Sequence, residues 1–191
     1  MHGACPPDGL RLVPGFLTPA RQAALLERID AHPWRDDLRR RVQHHGWVYD
    51  YRARRVAPAD RIGPLPGWLA REAASLVPAA GFDAVPDQAI VNEYEPGQGI
   101  AAHVDCEPCF GDTVASLSLG GFCVMTLRER GGGGRCDLPL EPGSLLVLKG
   151  AARYAWTHEI AARRSDVVDG TRRSRERRVS VTFRTVRRAG T

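Results

Sequence analysis

No apolar run reaches the 18 residues that a membrane-spanning helix needs, and residues 1–10 have neither the basic start nor the apolar stretch of a secretion signal. A membrane protein and an exported one are both disfavoured, so cytoplasmic residence is the expectation. Cysteine is scarce and odd in number: Cys5, Cys106, Cys109, Cys123 and Cys136. Five thiols without an export signal predict reduced cysteines in the core or in loops rather than a disulfide framework. Cys106-x-x-Cys109 has the spacing of half a zinc site, but no second pair matches it, which disfavours structural zinc. Lysine is nearly absent, Lys149 being the single one among 27 basic residues. Repeats and low-complexity tracts are lacking too, apart from glycines 131–134, which read as a hairpin tip.

What is present is globular. The 191 residues are 43% hydrophobic and 26% charged, a composition that excludes wholesale disorder and fibres and fits one domain spanning 1–191. The formal net charge is +5, unevenly spread. Ten arginines between 163 and 188 face only Asp166, Asp169 and Glu176, leaving +7; eight between 35 and 61 face four aspartates, leaving +4. Two basic zones suit a phosphate backbone, and solvated surface charge accounts for them equally well.

Thr18-Pro19 opens a helix in which Ala24, Leu25 and Ile29 fall at helical spacing until Pro33. A second helix is expected over 66–77, burying Leu69, Ala73 and Leu76 and ended by Pro78. Strands are expected over 41–52, 89–94, 113–119, 122–128, 144–149 and 177–186. Helices first and short strands after indicate an α+β sandwich or barrel.

His103-Val104-Asp105 puts an imidazole and a carboxylate on one face of an extended segment, and His158 offers a third ligand. Two histidines and one carboxylate form the facial triad that holds non-haem Fe(II) with open positions, although a surface His–Asp pair has the same local sequence. His2, in an expected tail, and His32, His44 and His45 fit less well. On the strand near the C-terminus Arg178, Ser180, Thr182 and Arg184 share one face, opposite Val179, Val181 and Phe183. Its two arginines, roughly 20 Å apart at the backbone, suit a grip on a small dicarboxylate, and an exposed edge strand would show the same pattern.

These motifs arrive in one order: Asn92-Glu93-Tyr94-x-Pro96-Gly97, His103-x-Asp105, Ser116-Leu117-Ser118-Leu119-Gly120, Arg153-Tyr154-x-Trp156-x-His158 and Arg178-x-Ser180-x-Thr182-Phe183-Arg184. In that order the chain resembles the AlkB branch of the 2-oxoglutarate- and Fe(II)-dependent dioxygenases over about 42–188. The resemblance implies a double-stranded β-helix, or jelly roll, with helices packed on one sheet. The N-terminal helical and lid region would span about 10–85 and the core about 86–188. It implies Fe(II) on His103, Asp105 and His158, with 2-oxoglutarate as co-substrate and O2 as oxidant. Arg178 would meet the distal carboxylate, Asn92, Tyr94 and Ser180 would help seat it, and Arg184 would lie near the chelating end.

The segment from Val42 through Tyr51 resembles the family's substrate lid, with Trp47, Tyr49 and Tyr51 alternating onto one face, suited to a flipped base or to the core. Glu107 stands where repair members often carry an aspartate near the target base. The activity implied is oxidative demethylation of N-alkylated bases in DNA or RNA, by a monomer. Rivals are a tRNA wobble-base hydroxylase, a hydroxylase of a small molecule, peptide or protein, and a noncatalytic nucleic-acid binding module.

Overall fold

Thr18 begins the first helix as its sequence predicts: its hydroxyl accepts the Arg21 N–H and Pro19 takes the first helical position, where no N–H is needed. The computed structural model describes residues 6–36 and 38–188, so His2 and Cys5 lie outside the described residues. The helices are α1 (Pro19–Asp30), α2 (Gly67–Leu76) and α3 (Gly150–Tyr154). The strands are β1 (Leu10–Val13), β2 (Val42–His45), β3 (Gln88–Tyr94), β4 (Ile100–His103), β5 (Val114–Gly120), β6 (Cys123–Glu129), β7 (Arg135–Leu140), β8 (Leu145–Leu148), β9 (Trp156–Ile160), β10 (Ser165–Val168), β11 (Thr171–Ser174) and β12 (Arg178–Arg184). No helix among the described residues is long and apolar enough to cross a membrane.

A six-stranded antiparallel sheet in the order β1-β8-β5-β12-β3-β2 faces a four-stranded one, β4-β9-β6-β7, and β10 and β11 form a separate hairpin. This is the expected jelly roll. Strict alternation on β12 sends Val179, Val181 and Phe183 into a core shared with Leu25 and Ile29 of α1 and Leu69, Ala73 and Leu76 of α2. Burial of this apolar layer is the dominant attraction between helices and sheet. A second core between the sheets joins Tyr94, Val114, Leu146 and Leu148 to Met125, Leu127, Trp156 and Ile160. The larger sheet is thus covered on both faces, and β12, at its middle, is buried along its whole length.

Several expected boundaries are corrected. The strand forecast over 41–52 ends at His45, because Gly46 adopts φ +79° and a Cβ there would collide with the Asp87 carbonyl. The chain then leaves the sheet in an excursion clipped by Val48 N–H to the Asp60 carbonyl and Ile62 N–H to the Gly46 carbonyl. Ala24 is exposed rather than packed. Pro78 does not stop the second helical segment, which continues as a π-helical turn over Val77–Gly81. Glycines 131–134 do connect β6 and β7 at a hairpin tip. The expectation of reduced cysteines fails at one place: Cys106 and Cys109 are joined in a disulfide, while Cys123 is a buried thiol.

Candidate active site

The polar face of β12 opens between the sheets into a cavity of about 470 Å³. Registry sets its floor. Ser180 lies opposite Asn92 of β3 and Ser118 of β5, and Thr182 lies opposite Ile90 and Ser116. The hydroxyls of Ser116 and Ser180 are 2.9 Å apart, and the Thr182 hydroxyl donates to Ser116 at 3.3 Å.

Arg178 is 2% exposed and donates one bond, from Nη2 to Ser118 Oγ at 2.9 Å. Its Nε and Nη1 are buried and, among the described residues, find no hydrogen-bond partner. The Tyr94 ring, 5.5 Å away, offers a cation–π contact but no negative charge. A buried guanidinium with two unanswered N–H groups facing a cavity suits a carboxylate, since unpaired buried donors are costly. Asn92 is held by Arg40, whose Nε donates to its Oδ1 at 2.9 Å, and burial holds the Tyr94 phenol protonated above its ordinary range.

At the cavity's other end His103 closes β4 and His158 sits on β9, directly opposite in register, with ring centroids 4.2 Å apart. Asp105 follows on the loop after β4, its Oδ2 3.8 Å from His158 Nε2. His103 Nδ1–H donates to the Ala101 carbonyl at 2.8 Å, which leaves Nε2 with the lone pair. Burial, reinforced by His103, pushes His158 down to about 4, so it is neutral and able to donate a lone pair near pH 7. Burial raises the Asp105 carboxyl, but Arg184, His158 and His103 outweigh it and keep Asp105 ionised well below the usual carboxylate range.

The donor set, two imidazoles and one carboxylate, fits Fe(II). Yet among the described residues no trio of His, Cys, Asp or Glu stands at metal-ligand spacing. At Asp105, Arg184 Nη2 donates to Oδ1 at 2.5 Å, so a guanidinium compensates the carboxylate charge. Arg184 therefore does lie at this end of the cavity, bonded to the acid.

The lid residues divide. Tyr49 and Tyr51 line the cavity and meet edge to face at 5.0 Å, with the Tyr49 N–H donating to His44 Nδ1 at 3.0 Å. Trp47 is corrected: it is 7% exposed, its Nε1 donates to Asp87 Oδ2 at 3.1 Å, and it does not line the cavity. Residues 47–51 lie outside any strand, so the period of two that was to put all three rings on one face does not apply to them. Glu107 is exposed and paired with Arg130 at 2.7 Å, beside a shallow outer opening next to His103.

Sequence reading assigned no role to Arg153, Arg40, Ser116 or Ser118. Arg153 is 2% exposed and donates to the carbonyls of Asp105 at 2.8 Å and Cys106 at 3.3 Å, so it fixes the loop carrying the acid. The signal for the serines was available in the alternation of Ser116 and Ser118 along β5; no sequence pattern marks Arg153 as buried.

The chain's likeness to known proteins agrees with this geometry. Residues 9–184 match the family model of the 2OG-Fe(II) oxygenase superfamily. The chain is 38% identical over 202 residues to "Alkylated DNA repair protein ALKBH8 homolog" of Arabidopsis thaliana, covering 94% of this chain and 58% of that protein. It is 34% identical over 212 residues to "tRNA (carboxymethyluridine(34)-5-O)-methyltransferase ALKBH8" of Mus musculus, covering 95% of this chain and 31% of that one. Among solved structures, that of OsALKBH1 superposes with a TM-score of 0.69 at 19% identity, covering 93% of this chain and 96% of the other, a likeness of fold.

Proposed function

Because the chain belongs to the 2OG-Fe(II) oxygenase superfamily, in its AlkB-like branch, and is a 2-oxoglutarate-dependent dioxygenase, we propose that it oxidises an alkyl carbon on a base in DNA or RNA. His103, Asp105 and His158 would hold Fe(II), and Arg178 would bind the far carboxylate of 2-oxoglutarate with help from Asn92, Tyr94 and Ser180. Bound iron supplies the coupling of O2 reduction to decarboxylation of 2-oxoglutarate, which yields succinate and an oxidant for a C–H bond. The protein's own part is placement. Arg178 fixes one end of the co-substrate, Arg184 and Arg153 orient Asp105 through its carboxylate and its backbone, and Leu146, Leu148 and Ile160 wall the cavity against water.

The observation that carries the nucleic-acid reading is the cavity mouth. Two tyrosines meeting edge to face line it, and the turn beyond them carries the exposed Arg52, Arg54 and Arg55. An aromatic pair bordered by cations suits a flipped base and its flanking phosphates. If the oxidised carbon is an N-methyl group, the hydroxylated product loses formaldehyde. A second reading, hydroxylation of a tRNA base with the oxygen retained, is supported by the likeness to the mouse protein whose name carries carboxymethyluridine. The chain spans 31% of that protein, so the methyl transfer in its name is not carried over.

Incubation with Fe(II), 2-oxoglutarate and a panel of methylated DNA and RNA oligonucleotides and tRNA tests both readings. Succinate with formaldehyde is expected for demethylation, and succinate with one added oxygen on the base for hydroxylation. Succinate formation that no nucleic acid stimulates would overturn the nucleic-acid reading in favour of a small-molecule or protein substrate.

A further inference from the structure

Cys106 is the residue after Asp105, lines the cavity, and is bonded to Cys109 three positions on. The two sulfurs converge on one acceptor from the lid: the Arg54 carbonyl lies 3.3 Å from Cys106 Sγ and 3.7 Å from Cys109 Sγ. Arg54 sits in the turn closed by reciprocal bonds between Asp50 and Arg55, at φ +52°, a left-handed conformation unusual for a residue with a side chain. Arg54 itself lines the cavity. The sulfur side of this contact is rigid. Arg153 grips the Asp105 and Cys106 carbonyls, Phe110 N–H donates to the Cys106 carbonyl, and Arg187 N–H donates to the Cys109 carbonyl.

The chemistry of the contact depends on oxidation state. A thiol carries a hydrogen and donates, weakly, to a carbonyl oxygen; a disulfide sulfur has no hydrogen to donate. In the dithiol form at least one S–H bonds the Arg54 carbonyl and ties the turn to the loop that carries Asp105. In the disulfide form the same atoms meet without a hydrogen bond, and the carbonyl of a strained turn loses its partner.

We propose that Cys106 and Cys109 form a reversible thiol–disulfide site that controls attachment of the lid turn, residues 50–55, to the Asp105 loop. Oxidation by hydrogen peroxide joins the two sulfurs, with loss of both thiol hydrogens and reduction of the peroxide to two waters. Reduction by a dithiol of the thioredoxin class restores the hydrogens and leaves that reductant as its own disulfide. The path is open, since Cys106 borders the shallow outer opening beside Glu107 and Arg130. The reduced state predicted from composition and the disulfide seen here are then the two settings of one device.

The turn carries its own reporter, because trypsin cuts after arginine and Arg52, Arg54 and Arg55 are exposed. Full-length protein is poised in dithiothreitol redox buffers, the 106–109 peptide is assigned as dithiol or disulfide by mass, and the first cut within 52–55 is timed. The expected result is interconversion of the pair and about three- to tenfold faster cutting in the oxidised form, the range of one lost neutral hydrogen bond. A Cys106→Ser/Cys109→Ser variant, whose hydroxyls still donate, is expected to cut slowly in every buffer. A Cys106→Ala/Cys109→Ala variant, which cannot donate, is expected to cut fast in every buffer. Equal rates for the serine and alanine variants, equal rates for the two wild-type forms, or a pair that does not interconvert would each overturn the proposal.

Discussion

Replacing Arg178 by methionine should separate binding from stability in a way few buried arginines would. The side chain is 2% exposed, yet in the unliganded protein it has one hydrogen bond, to Ser118, and two orphaned donors. Methionine keeps much of the length and removes the charge. The loss is about 1 kcal/mol for the Ser118 bond and about 1 kcal/mol for the Tyr94 ring contact. The gain is relief of two unsatisfied buried nitrogens, each costing about 1 to 3 kcal/mol. Stability without ligand should therefore be unchanged or raised. The 2-oxoglutarate carboxylate, by contrast, loses its charged partner, at a cost of about 3 to 5 kcal/mol, or about 10²- to 10³-fold or more in affinity. Thermal unfolding titrated with 2-oxoglutarate in the presence of Mn(II) reads both quantities. At 100 times its dissociation constant the co-substrate should stabilise wild type by about 2.7 kcal/mol and the variant, at the same concentration, by about 0.4 kcal/mol or less. A variant that loses several kcal/mol without ligand would make Arg178 a structural arginine. One that keeps the ligand shift would refute the carboxylate assignment.

Alanine at His103 or His158 should lower Mn(II) affinity by about 10- to 100-fold or more by calorimetry; affinity near wild type in either variant removes that residue from the metal site. His45, away from the cavity, has its pKa pushed down to about 4 by burial and by nearby His32. Below about pH 6.5 the unfolded chain takes up a proton that the folded one refuses. Stability should thus fall from pH 6.5 to 4 by about 2 to 3 kcal/mol on this account. His45→Phe should remove that part of the slope in urea unfolding, and equal slopes in the two proteins would count against it. Trp47→Phe should cost about 1 kcal/mol of stability through the lost bond to Asp87 and leave oligonucleotide affinity alone. Tyr51→Ala should weaken a methylated single strand by about 1 to 3 kcal/mol in fluorescence anisotropy; the opposite pattern would return Trp47 to the mouth.

What could be read in advance was whatever depends on period and order. Alternation along β12 separates its cavity face from its core face correctly, because the strand is central and every residue is committed to one side. Thr18-Pro19 reads as a helix start because capping is local. The lid strand misled because the element that ends it is a tertiary event: Gly46 turns where Asp87 of another segment passes. β4 and β9, which carry His103 and His158, went unassigned because they are short, at four and five residues, and mixed in polarity. Arg153 was opaque for a related reason, since its partners are main-chain carbonyls, which no side-chain pattern announces.

Charge counted along a chain is a different quantity from charge presented by a surface, and here the difference inverts the two basic stretches. Of the arginines in 163–188, Arg163 and Arg175 share Asp166, Arg173 holds Glu141, and Arg177 holds Asp30 and Glu93. Arg187 meets Asp112, Arg188 meets Asp87, Arg184 meets Asp105, and Arg178 faces the cavity. Most of those carboxylates come from elsewhere in the sequence, so the formal +7 is largely neutralised by the acidic remainder of the chain. The more modest stretch keeps its charge where it matters. Asp50, the acid within the lid turn, is engaged by the N–H groups of Arg52 and Ala53, while Arg52, Arg54 and Arg55 stand exposed, Arg54 against the cavity. The field of this turn therefore acts at the edge of the cavity that Arg54 lines, where an anionic substrate would meet it. That puts the attraction on the turn whose Arg54 carbonyl the two sulfurs meet.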